Sequence, residues 1–304
     1  MNAAQVTVAV CTRNRPDDLA RCLASLRALD PAPRAIVVAD QSDDALAAVG
    51  RERSGAAGAE WFAPARRGLG ASRQAVLERV TTPIVAFTDD DCLVRPAWAG
   101  AFGDAFERHP SAGAATGPMR PDPSMPLPDG VPSWVTDWGG EDEIVFSGPT
   151  EPSRIGGGLN MAFRVEDLRR AGGFDPMLGA GGPLKGGEDA DAFHRILLSG
   201  GAVVFVPAAI VSHHPPRDAH AHDRNEIDYA WGLGAWVERR KSFGDRVPER
   251  FWSDALRRCL STLVRHAPAD GLARSWRRVR VARALFTGRR DARRLIAAWE
   301  GSRA

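Results

Sequence analysis

The sequence predicts an α/β fold, in which a mixed, mostly parallel sheet is flanked by helices and followed by a helical C-terminal extension. Short β-rich runs alternate with helical patterns through the first two hundred residues, and this alternation is typical of a largely parallel sheet. Strand-like runs occupy residues 6–10, 36–39, 84–87 and 202–206. Polar residues directly follow three of these runs, at the position where open α/β sheets bind ligands.

The helical patterns are clearest at the two ends of the chain. A first helix is predicted over residues 17–29, because apolar side chains recur there at three- and four-residue steps. The pattern turns helical again from about residue 223, and residues 272–299 combine helically spaced apolar residues with many arginines. Between these ends, residues 117–158 contain eight prolines together with Trp134 and Trp138. A loop of this length and composition predicts a binding segment.

Composition limits the class of protein without naming a partner. The 304 residues can hold one large α/β domain with an appendage, or two smaller domains. The net charge of +2 indicates neither a basic nor an acidic partner, and we expect no nucleic-acid ligand. The apolar runs are too short for a signal peptide or a membrane span. The four cysteines are scattered, which argues against a zinc knuckle or a disulfide framework and favours reduced thiols in a cytoplasmic protein.

The stretch "AFTDDDCLVRPAW" places Asp89, Asp90 and Asp91 directly after an apolar run. Carboxylates are suitable ligands for Mg²⁺ or Mn²⁺. If strand alternation continues through the run, Asp89 and Asp91 share a face, so one could bind a metal and the other a sugar hydroxyl. A solvated turn before Pro96 is compatible with the same residues.

Two further groups carry potential chemistry. Glu188, Asp189 and Asp191 begin a helical run, where a carboxylate could act as a general base, although acids at a helix N-terminus are stabilising in their own right. His213 and His214 follow a strand-like run, and a neutral imidazole could complete a metal site. A structural or solvent-facing histidine pair is the alternative.

The order of the sequence blocks adds to these separate signals. Read along the chain, the blocks are "TVAVCTRNRPDDLARCLASL", "IVVADQSDD", "RRGLGASRQAVL", "PIVAFTDDDCLVRPAW", "GGGLNMAFRVEDLRRAGGFDPMLG", "GGEDADAFHRILLSGG" and "VPAAIVSHH". This series resembles the family 2 glycosyltransferases, nucleotide-sugar enzymes of the Rossmann-like GT-A fold. The resemblance implies a catalytic domain over residues 1–215, with a nucleotide-sugar half at about 1–115 and an acceptor half at about 116–215. Residues 216–304 would form the basic helical extension.

The resemblance also implies roles for individual residues on the donor side. Thr12 and Arg15 match positions that line the nucleotide pocket, and Asp40 matches the aspartate that binds the base. Arg73 falls where the family places an arginine near the diphosphate. In the triple aspartate, Asp89 resembles the contact to ribose or donor sugar and Asp91 the metal ligand, joined by His213. Asp90 is grouped with the nucleotide-sugar residues without a role of its own.

On the acceptor side, Asp189 resembles the general base of the family's "ED" motif, with Asp191 as second choice. The residues grouped with the donor sugar and acceptor are Gly157, Gly158, Asn160 and Glu188. Apart from the resemblance, Trp98 could stack on a sugar face, and packing in the core is the alternative. The loop "DQSDD" is one residue shorter than the commoner form of the family, and His214 competes with His213 as metal ligand.

The implied function is that of an inverting, Mn²⁺- or Mg²⁺-dependent glycosyltransferase. Its donor would be a UDP-, GDP- or dTDP-linked sugar, and its acceptor a hydroxyl on a glycan, a lipid-linked or a natural-product molecule. An inactive nucleotide-sugar binding protein and a magnesium-dependent phosphoryl-transfer enzyme are the alternatives. The expected location is the cytoplasm. The basic C-terminal helix could contact the inner membrane face peripherally, and a solvated helix packed on the catalytic domain is the alternative.

Overall fold

A computed structural model describes residues 3–122, 124, 138, 140–213, 219–266 and 271–301 of the chain. The chain divides into two compact units. The first comprises Met1–Pro176 and Glu188–Pro215, and the second comprises Met177–Gly187 and Pro216–Ala304. Residues 177–187 therefore belong structurally to the helical second unit although they lie between elements of the first.

The first unit is built on an eight-stranded sheet and a smaller three-stranded sheet. Its strands are β1 (Val6–Thr12), β2 (Ala35–Asp40), β3 (Glu60–Phe62), β4 (Ile84–Asp89), β5 (Cys92–Val94), β6 (Ala112–Thr116), β7 (Met119–Pro121), β8 (Ile144–Ser147), β9 (Asn160–Arg164), β10 (Ala202–Phe205) and β11 (Val211–His213). Its helices are α1 (Pro16–Arg27), α2 (Asp44–Ala56), α3 (Leu69–Arg79), α4 (Trp98–Arg108), α5 (Val165–Arg170) and α6 (Glu188–Leu198).

The large sheet has the order β3-β2-β1-β4-β9-β6-β10-β8. Strands β3, β2, β1 and β4 pair in parallel, whereas β9 runs antiparallel to both β4 and β6. Strand β10 is parallel to β6 and antiparallel to β8. The predicted fold class, a mixed and mostly parallel sheet flanked by helices, is confirmed, and the four predicted strand runs all lie in this sheet.

Strand β1 shows why the sheet is buried on both faces. Its sequence "VTVAVCT" is buried throughout, as expected for a central parallel strand covered by helices on both sides. Val8 and Val10 pack in one hydrophobic core with α1 and α4, whereas Ala9 and Cys11 pack in the other core with α3, α5 and α6. The alternating side chains of this strand thus hold the two helical layers to the sheet.

The cysteines are all free, in agreement with the sequence prediction of reduced thiols. Cys11, Cys22 and Cys92 are buried in the first unit, and Cys259 is partly exposed in the second. Burial raises the pKa of the Cys11 thiol to about 12 and raises the pKa values of Cys22 and Cys92 well above their ordinary value.

The second unit contains three long helices, α7 (Ala219–Ser242), α8 (Val247–His266) and α9 (Gly271–Gly301). Glycines allow α7 and α9 to approach closely. A Cβ on Gly288 of α9 would lie 2.0 Å from the Trp231 carbonyl oxygen of α7, and one on Gly234 of α7 would lie 2.3 Å from the Leu285 carbonyl oxygen of α9. No helix in the described ranges combines the length and the apolar character needed to cross a membrane.

We predict that Gly288→Ala destabilises the second unit by about 1–3 kcal/mol, because the added methyl group overpacks the contact between α7 and α9. The matched control is Gly301→Ala in the same helix, where no atom lies within 4 Å of the added Cβ. Urea unfolding followed by circular dichroism measures both variants. Equal stability of the two variants would contradict the role assigned to Gly288.

Candidate active site

Three parallel strands end together at one edge of the large sheet. Thr12 of β1 pairs with Asp40 of β2, and Cys11 pairs with Asp89 of β4. The carboxyl ends of these strands therefore bring Thr12, Asp40 and Asp89 to one place. Strand β4 ends at Asp89, and residues 90 and 91 form a turn. The prediction from strand alternation is wrong beyond Asp89, because Asp91 lies in this turn and not in the strand.

Arg15 holds the turn between Asp90 and Asp91. Its Nη1 donates to Asp90 Oδ1 at 3.2 Å and to Asp91 Oδ2 at 2.9 Å. The Thr12 hydroxyl donates to the other Asp90 oxygen at 2.7 Å. Burial, with the nearby charge of Asp91, raises the pKa of Asp90 to about 7, against the opposing effects of Thr12 and Arg15. Asp90 thus joins the ends of β1 and β4 and faces two of the residues expected in the nucleotide pocket.

Asp91 lies beside His213 at the end of β11. The small sheet pairs His213 with Cys92 and Pro121, and this register brings the His213 ring to the turn. His213 Nε2 is 3.6 Å from Asp91 Oδ1. Burial alone would raise the pKa of Asp91, but the hydrogen bond and charge of His213, with Arg15, lower it below its ordinary value. Burial alone would lower the pKa of His213, but Asp91 raises it.

These side chains fit a divalent cation. One ligand atom each from Asp91, Cys92 and His213 lies within 4.8 Å of the others. Burial raises the pKa of the Cys92 thiol, which disfavours the thiolate that a metal requires. The usable donors are then a carboxylate oxygen and an imidazole nitrogen, a set compatible with Mn²⁺ or Mg²⁺ when diphosphate or water oxygens complete the shell. His214, the alternative ligand, lies outside the described residues.

Arg73 of α3 is almost fully buried, with 1% of its surface exposed. Its Nη1 donates to Glu188 Oε1 at 2.6 Å, and its Nη2 donates to Asp89 Oδ1 at 3.1 Å and to the Gly158 carbonyl at 2.9 Å. Burial alone would lower the pKa of Arg73, but the two carboxylates raise it. These partners occupy the guanidinium, and the direct contact with a diphosphate stays a prediction.

The two carboxylates that Arg73 contacts have shifted pKa values. Burial raises the pKa of Glu188 to about 7, with a further contribution from Asp189 and an opposing one from Arg73. Burial also raises the pKa of Asp89, again against Arg73. Carboxylates with perturbed pKa values, here at the end of β4 and the start of α6, are typical of functional sites.

Asp189 and Asp191 differ in their hydrogen-bond partners and in their burial. Asp189 Oδ2 accepts from the Gly158 backbone N–H at 2.6 Å, and Oδ1 accepts from the Ala190 N–H at 2.7 Å. Asp189 is partly exposed, whereas Asp191 is buried and accepts from Arg195 Nε at 2.8 Å. The geometry therefore favours Asp189 as the residue that can meet a ligand, while Asp191 serves an internal ion pair.

Gly158 connects these groups through its backbone. It donates to Asp189 and accepts from Arg73, and a Cβ at this position would lie 2.7 Å from Arg73 Nη1. Any larger residue would displace the guanidinium. Gly157 and Gly158 are partly exposed, so their assignment to the donor and acceptor side stays a prediction.

Trp98 differs from the sequence expectation. Its side chain is 0% exposed, and its indole Nε1 donates to Asn160 Oδ1 at 2.9 Å. Buried in the core, the ring offers no face to a sugar, and its grouping with the sugar-binding residues is corrected on that ground. Asn160 is equally buried, and its amide donates to the carbonyls of Pro118 and Ala209. Both side chains organise the backbone around the site.

Asp40 is also buried, and the sequence does not predict the hydrogen-bond donor to its Oδ2 atom. Trp61 Nε1 in β3 donates to Asp40 Oδ2 at 3.1 Å, and the Ser42 backbone N–H donates to Oδ1 at 2.8 Å. The short strand "EWF" gives no motif that signals this contact. In the 117–158 segment, Trp138 contacts Phe205 edge to face and Trp134 lies outside the described residues.

Comparison with known proteins shows what part of the chain resembles. Residues 7–136 match the family model described as glycosyl transferase family 2. The chain is also 32% identical over 119 residues to the glucosyl-dolichyl phosphate glucuronosyltransferase of Haloferax volcanii. The match to the family 2 glycosyltransferases covers less than half of the 304 residues. The alignment with the Haloferax relative covers 38% of this chain and only 37% of the relative.

Solved structures share the fold of this chain. The mannosyltransferase PcManGT from Pyrobaculum calidifontis, in complex with GDP-Man and Mn²⁺, aligns with a TM-score of 0.58 and 20% identity over 97% of this chain and 85% of that one. S. aureus TarS 1-349 in complex with UDP-GlcNAc aligns with a TM-score of 0.57 and 12% identity over 98% and 92% of the two chains. At these identities the likeness establishes the GT-A fold.

We predict that Arg73→Gln lowers the free energy of unfolding by about 3–5 kcal/mol, because it leaves Glu188 buried without its cation. The double variant with Glu188→Gln should lose less than the sum of the two single variants. Urea unfolding of the four proteins measures this coupling. A parallel cycle on the exposed pair Arg170 and Glu166 is the control and should give about 0.5 kcal/mol or less. Additive losses at Arg73 and Glu188 would refute the interaction.

Proposed function

We propose that this chain is an inverting, metal-dependent glycosyltransferase, which transfers a sugar from a nucleoside diphosphate sugar to an acceptor hydroxyl. The observation that carries the proposal is the frame around Arg73. This one guanidinium bonds Asp89, the candidate donor contact, and the Gly158 carbonyl, while the Gly158 N–H bonds Asp189, the candidate base. Arg73 and the Gly158 backbone thereby connect Asp89 on the donor side with Asp189 on the acceptor side.

Asp189 is the general base of the proposed reaction. Its two backbone hydrogen bonds orient the carboxylate without occupying all of its lone pairs. A partly exposed and fixed carboxylate can accept the proton of an acceptor hydroxyl as that oxygen attacks the sugar. Attack from the side opposite the leaving diphosphate inverts the anomeric carbon. Orientation of this kind contributes to rate because the reacting groups need no further alignment.

Asp91 and His213 would hold the divalent cation, and Asp89 would contact the ribose or the donor sugar. When bound, the cation supplies positive charge that stabilises the leaving nucleoside diphosphate. The choice between Mn²⁺ and Mg²⁺ is part of the proposal, and the Mn²⁺ in the PcManGT complex supports the former. In this scheme His213 must be neutral to act as a ligand, so the cation and a proton compete for its imidazole.

On the nucleotide side, Thr12, Arg15 and Asp90 form the wall of the proposed pocket, with Asp40 near the base. A UDP-, GDP- or dTDP-linked donor is compatible with this assignment. The GDP-Man and UDP-GlcNAc bound to the two structural neighbours support a nucleotide-sugar donor. The acceptor is a hydroxyl of a glycan, a lipid-linked or a natural-product molecule.

A thermal-shift screen of nucleoside diphosphates and nucleotide sugars, with and without Mn²⁺, tests donor binding. A ligand at about a hundredfold its Kd adds roughly 2.7 kcal/mol of stability. Positive donors are then incubated with acceptors, and the products are analysed. Release of nucleoside diphosphate with a glycosylated acceptor supports the proposal. Release of inorganic phosphate would favour a phosphoryl-transfer enzyme, and binding without turnover across the acceptor panel would favour an inactive binding protein.

We predict that Asp91→Asn removes the Mn²⁺-dependent part of donor binding, because an amide is a weaker cation ligand than a carboxylate. Isothermal titration with the donor, in Mn²⁺ and in EDTA, should give equal affinities for this variant and different affinities for the wild type. The control is Asp104→Asn on the exposed surface of α4, which should behave as the wild type. A metal effect that survives in Asp91→Asn would move the metal site elsewhere.

We predict that Asp189→Asn lowers the rate of transfer by about 10²–10⁴-fold while the Kd of the donor changes little, because only proton acceptance is lost. Single-turnover transfer and donor titration measure the two quantities separately. Asp191→Asn tests the second candidate base. We expect this variant to lower the free energy of unfolding, because it breaks the ion pair with Arg195. Wild-type turnover in Asp189→Asn would transfer the base role to another group.

A further inference from the structure

We propose that one exposed face of α9 docks on an anionic lipid bilayer. The residues of this α9 face are Trp276, Val279, Arg280, Arg283, Phe286, Arg290 and Arg294, all of them exposed. Their spacing of three and four residues places them on one side of the helix. The proposal is independent of the transferase reaction, because none of these residues belongs to the first unit.

The opposite side of α9 packs in the interior of the second unit. Leu285, Ala292 and Ile296 are buried there, and Gly288 approaches the backbone of α7. This packing fixes which side of the helix is free. The free side nevertheless exposes large apolar side chains, with 65% of Trp276, 41% of Val279 and 51% of Phe286 accessible. Large apolar side chains that recur on one exposed face indicate an interaction site.

The charge of the α9 face has a single sign. Helix α9 contains nine arginines and only two acidic residues, Asp291 and Glu300. Residues 216–304 carry 20 Lys and Arg against 11 Asp and Glu, a net charge of +9, although the whole chain carries +2. Among the described acids, none forms a salt bridge with Arg280 or Arg283. These guanidinium groups are available to an external anion.

The combination of side chains favours a lipid surface over other anionic partners. Tryptophan and phenylalanine enter the boundary between headgroups and acyl chains, while arginines reach lipid phosphates through their long stems. The face extends about 28 Å along the helix at 1.5 Å per residue, so it can lie flat on a bilayer. A nucleic acid would leave the apolar side chains without a matching surface. A symmetric second copy would bring the arginines of both faces together.

Vesicle sedimentation with the full chain tests the proposal. We expect binding to phosphatidylcholine vesicles that contain phosphatidylglycerol and no binding to pure phosphatidylcholine. Binding should weaken as salt increases, because the attraction to anionic headgroups is screened. The Trp276 emission should shift to the blue on binding, measured as the difference between the wild type and Trp276→Phe.

Two sets of substitutions separate the charged and apolar contributions. Removing one arginine near the surface costs about 1 kcal/mol, or roughly fivefold in partition. The triple variant Arg280→Gln, Arg283→Gln and Arg290→Gln should therefore bind anionic vesicles about a hundredfold more weakly. The double variant Trp276→Ser and Phe286→Ser should also bind anionic vesicles more weakly. Its binding should keep more of the wild-type salt dependence than binding of the triple arginine variant does. Circular dichroism verifies that each variant keeps its helices.

The matched control removes three exposed arginines from the first unit, Arg27→Gln, Arg34→Gln and Arg170→Gln. It changes the net charge equally and should retain vesicle binding within about twofold, since charges outside the contact contribute little. Equal losses in the two triple variants would show a nonspecific charge effect and overturn the proposal. The absence of wild-type binding to anionic vesicles would overturn it as well. Binding to neutral vesicles that is insensitive to salt, or α9-dependent dimerisation without vesicle binding, would assign the face to another partner.

Discussion

The buried charge of Arg73 is the constraint around which the first unit is organised. A guanidinium with 1% of its surface exposed is tolerated only when its donors are hydrogen-bonded and its charge is balanced. The balancing groups come from the end of β4, the start of α6 and the backbone before β9, which are far apart in sequence. Displacing any one of these segments would leave a charge or a carbonyl unsatisfied. The geometry of the candidate site and the stability of the unit consequently depend on the same contacts.

The three adjacent aspartates show how the site manages like charges. Asp89 is bonded by Arg73, while Asp90 and Asp91 share Arg15. Each carboxylate therefore has a cation within hydrogen-bonding distance, and His213 adds a further partner for Asp91. The acids are close enough to cooperate in ligand binding because fixed cations reduce their repulsion. Asp90, which had no role in the sequence interpretation, connects Thr12 and Arg15.

The parts of the fold that follow a local rule could be predicted from the sequence. Strands β1, β2, β4 and β10 are apolar runs flanked by polar residues, and α1 has a regular apolar face. Strand β6, "AGAAT", has no such signal, since its small residues are favoured by packing between β9 and β10 and not by β propensity. The burial of Trp98 depends on a hydrogen bond to Asn160, 62 residues away. Contacts of this kind also distinguish Asp189 from Asp191, which the spacing alone left equivalent.

The placement of the cysteines has a practical consequence for measuring motion in this protein. Cys11, Cys22 and Cys92 are all buried in the first unit with raised pKa values, so very little thiolate reaches solvent while the unit is closed. Alkylation of these thiols requires the unit to open, and its rate reports the population of the open state. The native chain thus contains its own reporters of local opening, without any introduced label. Comparing alkylation with and without a nucleotide sugar would measure how strongly the ligand suppresses this local opening.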